Sequence, residues 1–154
     1  MEAPVPKRGF DQAWLVASPL PIPLNLISVH TWCVVSDRNN KTDRWEVWHR
    51  KLPIQNRWGY IHCNLFAPFQ GIGINPIYTS CCWDSVLLNY WEGDAACRLA
   101  IILSNSVRKY PLRGRYRYWP GPNSNTYIQW IFDQFQGEAI QLPKKALGAS
   151  FMVT

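Results

Sequence analysis

The chain has 154 residues and a formal charge of +6, with 47% apolar and only 17% charged positions. That length supports one domain around one core, and the composition excludes a disordered polyelectrolyte. The positive balance favours anionic partners such as phosphate, nucleic acid or lipid headgroups, and the nine Trp, seven Tyr and six Phe point to a large core or an interface, since each ring buries a large area.

Residues 1–25 carry Pro4, Pro6, Pro19, Pro21 and Pro23. Each proline pushes its predecessor out of the helical region, so this stretch is expected to be an extended arm ahead of a single domain at 26–154. An ordered arm of this kind needs something to dock on, which points to a protein partner. The uncharged run from Gln12 to Val29 is the nearest approach to a membrane span, and its prolines exclude that by removing donors that lipid cannot replace. They also spoil it as the apolar part of a signal peptide, so no export signal is expected. Cys33, Cys63, Cys81, Cys82 and Cys97 show neither C-x-x-C nor a Cys/His ligand spacing. Reduced thiols in a cytoplasm or organelle interior fit better than a disulfide framework or zinc site.

Leu26 to Val35 is β-branched and apolar and reads as a strand, followed by a turn-rich segment at 36–43. Arg44 to His49 alternates and reads as its return strand, and Trp58 to Phe66 as a third, giving an antiparallel meander. Gly71-Ile-Gly73 lacks the third glycine and the flanking elements of a nucleotide-binding turn. Cys81 and Cys82 beside Trp83 read as packing. Asp94 is placed as the N-cap of a helix with Leu99, Leu103 and Val107 on one face, Arg108 and Lys109 near its end, and Pro111 after it. Arg113, Arg115 and Arg117 alternate with Gly114, Tyr116 and Tyr118, the period of a strand with one cationic face. A second helix is expected over 123–136, with Tyr127, Ile131 and Phe135 inward and Gly137 as the stop. The expected fold is α+β: a small antiparallel sheet, joined by the Arg-Tyr strand, against two helices.

The segment Trp119-Pro-Gly-Pro-Asn-Ser-Asn-Thr-Tyr127 resembles the W-P-G-P-N-S-N-T-[FY] signature of an uncharacterised bacterial family, a domain of unknown function. His30-Thr31-Trp32, Leu142-Pro143 and Ala146-Leu147-Gly148 extend the resemblance over about residues 27 to 151. More distantly, the chain resembles circularly permuted papain-like proteins, the NlpC-type peptidases and lecithin:retinol acyltransferases. There a histidine on an early strand precedes a cysteine nucleophile at the start of a later helix. By that resemblance His30 takes the histidine position and Ser124 the cysteine position, and the fold would be permuted papain-like.

A nucleophile at a helix N-terminus is sensible chemistry, because free amides and the helix dipole stabilise a developing anion. Serine is a weak nucleophile unaided and would need His30 as base, with Asn123 or Asn125 orienting groups or donating to an oxyanion. The third partner of the imidazole stays open among Glu46, His49 and His62. Each feature also has a plainer reading: Asn and Ser are good N-caps, His30 fits a core histidine, and the three arginines fit a solvated strand face or an anion-binding patch. Two functions result. One is a hydrolase or acyltransferase-like domain, active or degenerate, acting on an acyl or amide bond without a metal or organic cofactor. The other is a non-catalytic accessory subunit that holds other proteins through its arm and aromatic surface, or lipid headgroups or phosphate through its arginines. No RNA-binding motif accompanies the arginines and aromatics, so nucleic acid is not the expected partner. A separation of roughly 2.6–3.5 Å between the His30 imidazole and the Ser124 hydroxyl, with open space beside them, would favour the catalytic reading, and a pair sealed by aromatics the structural one.

Overall fold

The computed structural model describes residues 4–21, 23–72, 85–137 and 139–154; Gly73, Cys81, Cys82 and Trp83 lie outside them. Six strands, β1 (Gln12–Pro19), β2 (Val29–Ser36), β3 (Thr42–Val47), β4 (Arg57–Trp58), β5 (Ile61–Cys63) and β6 (Val86–Glu92), form one sheet in the order β4-β5-β3-β2-β1-β6. All its pairings are antiparallel. Two helices, α1 (Asp94–Lys109) and α2 (Ser124–Gln134), complete an α+β fold. Among the described residues no helix is long and apolar enough to cross a membrane.

The largest correction concerns the expected arm. Gln12 to Pro19 is strand β1, hydrogen-bonded between β2 and β6, and almost entirely buried. Its sequence does not alternate because both faces are covered, the condition that makes a strand read as a continuous apolar run. Ala13 and Leu15 face one side, with Cys33, Val35, Trp45, Leu99, Leu103, Ile128 and Ile131. Trp14 and Val16 face the other, with Trp32, Val34 and Phe69. Each fully buried aliphatic side chain contributes about 1.5–3 kcal/mol relative to exposure, so a segment expected to lie outside the domain helps hold its centre.

Both helices pack on one face, α1 over β1 and β6, α2 over β2 and β3. The N-cap of α1 is Gly93, at φ 63°, not Asp94; Asp94 is the first helical residue, where its charge still complements the dipole. Arg108 and Lys109 occupy the last turn as expected. The hydroxyls of Ser106 and Tyr127 meet at 2.8 Å and tie the two helices together in the interior. The other sheet face is covered by the 64–72 loop, whose Pro68 carbonyl accepts from Trp32 Nε1 at 2.9 Å.

The expected Arg-Tyr strand does not form. Residues 111–114 are turn and 115–117 have no regular structure, and their backbone groups find partners singly instead of in a ladder. Tyr60 N donates to Arg113 O at 2.7 Å and Arg117 N to Pro122 O at 2.8 Å. The approach to the β4–β5 hairpin is so close that a Cβ on Gly59 would stand 2.1 Å from Arg113 O. Arg113 donates from Nη1 to the carbonyl of Val107 at 2.8 Å, satisfying the end of α1. Its Nη1 is thus engaged as a helix cap, while the side chain stays exposed. Arg115 and Arg117 are exposed.

Candidate functional site

At the end of the sheet where β1 finishes, β2 begins and β3 finishes, there is a cavity of about 430 Å³. Its walls include Leu20, Pro21, Leu24, Val29, His30, Trp48, His49, Tyr116, Tyr118, Ser124 and Leu147. The N-terminus of α2 forms one side, and the sequence explains why it sits there. Asn123 is a true N-cap: its side-chain oxygen accepts from Asn125 N and Thr126 N, and Thr126 Oγ1 accepts from Asn123 N, a complete capping box.

The same residues hold their neighbours. Asn123 Nδ2 donates to Tyr118 O and Leu147 O, at 3.1 and 3.0 Å. Asn125 Nδ2 donates to Val29 O and Leu147 O, both at 2.9 Å, and its oxygen accepts from Thr31 Oγ1 at 2.8 Å. Thr126 Oγ1 lies 2.7 Å from Gly148 O. Both asparagine amides are therefore spent on backbone carbonyls, which removes them as oxyanion donors and leaves them as positioning residues. Among the described residues the one first-turn amide of α2 without a partner is that of Ser124.

His30 is 4% exposed. Its Nε2 lies 2.7 Å from Glu46 Oε2, so of the three candidates for its partner it is Glu46 that bonds it. Glu46 is in turn held by Arg44, whose Nη2 donates to Oε2 at 2.9 Å. Arg44 Nε stands 2.7 Å from Oε1 but is not aligned for a hydrogen bond, so that contact is an ion pair only. Arg44 also donates from Nη1 to Ala67 O and Gln70 O, at 3.0 and 2.6 Å, and its guanidinium lies 4.1 Å from the Trp32 ring centroid. Arg44 and Glu46 are both fully buried. Sequence reasoning missed Arg44; two opposite charges at i and i+2, alternating with Trp45 and Val47 and so pointing to one face, were the available signal.

Burial pushes the His30 imidazole below its ordinary value, outweighing the upward pull of Glu46. Burial acts upward on the Glu46 carboxyl, but its bonds to His30 and Arg44 prevail and hold it below the usual value. The pair is thus a neutral imidazole beside a carboxylate. With Nε2 taken by Glu46, Nδ1 is the nitrogen left for other chemistry.

The remaining candidates separate. His49 is on the cavity wall with its ring 5.9 Å from Tyr118, and burial lowers its pKa. His62 is fully buried away from the cavity; its Nδ1 lies 2.9 Å from Tyr60 O and its Nε2 has no partner. His30 and Ser124 line the same cavity, but among the described residues no hydrogen bond joins them. Strand alternation gives the reason: His30 lies on the face of β2 that carries Trp32, opposite the face on which α2 packs. The two side chains reach the cavity around the end of the sheet, from different layers.

An antiparallel sheet with helices on one face and a buried His-Glu-Arg cluster at a cavity defines the class of domain. The chain belongs to the family described as protein of unknown function (DUF3750), whose model matches residues 17–151. That match begins inside β1. No curated protein matches the chain, and no solved structure matches it.

Proposed function

We propose that the cavity is an acyl-transfer or hydrolytic site with Ser124 as nucleophile and His30 as base. The observation that carries this reading is the His30–Glu46 bond of 2.7 Å in the wall of a cavity that also presents Ser124. The permuted papain-like resemblance favours the same assignment, with serine in place of cysteine.

In the proposed reaction Ser124 Oγ attacks the carbonyl carbon of an ester or amide, and its proton passes to His30 Nδ1. Glu46 stabilises the imidazolium that results, while Arg44 keeps Glu46 ionised. The developing oxyanion lies at the start of α2, where the unpartnered Ser124 amide and the helix dipole favour negative charge. His30 returns the proton to the departing alcohol or amine. Water or an acceptor alcohol, deprotonated by the same imidazole, then releases the acyl group from Ser124. Bound substrate has to close the distance between His30 and Ser124, as catalytic contacts often tighten only in the complex.

A second reading, a non-catalytic accessory domain that holds a ligand or partner at this cavity, is favoured by one observation: His30 and Ser124 come from opposite faces of the sheet. A fluorophosphonate probe separates the two. The catalytic reading expects labelling of the wild type and none of Ser124→Ala between about pH 6 and 9. An unlabelled wild type with an intact fold would leave the accessory reading in its place.

A further inference from the structure

Two of the chain segments that line the cavity carry exposed apolar side chains. Leu24 and Tyr118 line it, Leu26 and Ile27 follow Leu24, and Trp119 follows Tyr118. Leu26, Ile27 and Trp119 are 71%, 57% and 66% exposed. Singly exposed apolar residues are ordinary, but several on the segments beside one cavity mark a contact surface.

The charge around them has one sign. Among the described residues, no Asp or Glu lines the cavity. The chain beside its wall residues Tyr116, Tyr118 and Leu147 carries the exposed cations Arg115, Arg117, Lys144 and Lys145, and the Lys145 carbonyl accepts from Val29 N at 3.0 Å at the cavity wall. Arg113 is occupied by the end of α1, and Glu46 is buried against its own partners.

From this juxtaposition we infer that the cavity mouth is a docking surface for an anionic lipid bilayer. Aliphatic side chains enter the acyl boundary, Trp and Tyr rest at headgroup level, and Arg and Lys meet anionic headgroups. A nucleic-acid strand would satisfy the cations but offer Leu26 and Ile27 no apolar partner. The bilayer satisfies both. Docking in this orientation turns the cavity toward the membrane. The inference goes beyond the proposed acyl chemistry and does not depend on it.

The test is flotation of the full chain with vesicles of phosphatidylcholine alone or with about a third phosphatidylserine. Binding is expected to the anionic vesicles, weakened by salt. Two double variants, Leu26→Glu with Ile27→Glu and Arg115→Glu with Arg117→Glu, each lose about ten-fold or more in partitioning. Circular dichroism checks that both fold. Ile101→Glu, at an exposed position on α1 beside a different cavity, keeps wild-type binding. Trp119→Phe removes most of the fluorescence blue shift seen on docking. No binding at low salt, unchanged binding in either double variant, or release of the chain from vesicles by a single-stranded oligonucleotide would each overturn the inference. Fluorophosphonate labelling is read separately on the same samples, so a failure of the chemistry stays distinct from a failure of docking.

Discussion

His30 Nε2 and Glu46 Oε2 lie 2.7 Å apart, on neighbouring strands, with the carboxylate wholly removed from solvent. A carboxylate in that position is stable only because its other contacts are cationic, and Arg44 provides them.

Glu46→Gln should therefore cost about 3 kcal/mol or more of stability, because it leaves the Arg44 guanidinium buried without a counter-charge. Urea unfolding measures this. Pairing Arg44→Met with Glu46→Leu removes both buried charges but leaves Ala67 O, Gln70 O and His30 Nε2 without these partners, so the double variant should recover only part of what Glu46→Leu alone loses. A single variant within a few tenths of a kcal/mol of wild type would show that the cluster carries no such coupling.

Stability should fall as pH drops below about 6.5. Unfolded imidazoles titrate near 6.5, while burial holds His30 and His62 below that value in the fold. The unfolded chain then binds more protons as acid is added, and the folded state loses ground. Glu46 acts in the same direction further down. Its carboxyl is held below 4.5 in spite of burial, so its contribution is present above that value and disappears as the folded group protonates. Urea midpoints at about pH 7, 6 and 5 are the measurement, and His30→Gln should show a shallower fall. A flat profile across that range would contradict the assignment of a neutral His30.

Gly148→Ala should destabilise the fold by about 2 kcal/mol or more, because the residue sits at φ 92° and a Cβ there would stand 2.3 Å from Asn123 Nδ2. The damage reaches the cavity, since Asn123 caps α2. Gly114→Ala is the comparison: a Cβ there meets nothing within 4 Å, and its effect should stay within about 1 kcal/mol. Thermal midpoints of the two variants, taken side by side, decide it.

Several elements were legible in the residues. An Asn cap before α2, Leu99 and Leu103 inward on α1, and Tyr127 and Ile131 inward on α2 all follow from capping chemistry and helical period, which are local. Strand β2 was legible from its β-branched run. Strands β1 and β6 were not. β1 is buried on both faces and shows no alternation, and its prolines masked it as an arm. The apolar run Val86-Leu-Leu-Asn-Tyr-Trp91 before Gly93 was the missed signal for β6. The Arg113–Arg117 alternation had the right period for a strand, but among the described residues it meets the β4–β5 hairpin through the single bond from Tyr60 N to Arg113 O and forms no ladder.

By itself the sequence determined which side-chain types were available to this cavity: a histidine on a strand, a serine behind an asparagine cap, and an overall positive charge. These depend on side-chain identity and on hydrogen bonds spanning a few positions. The tertiary structure alone decided that Glu46 serves His30, that Arg44 serves Glu46, and that His30 and Ser124 approach from opposite faces of the sheet. Pairing register and the face on which a helix packs arise from contacts between distant segments, and no local pattern encodes them.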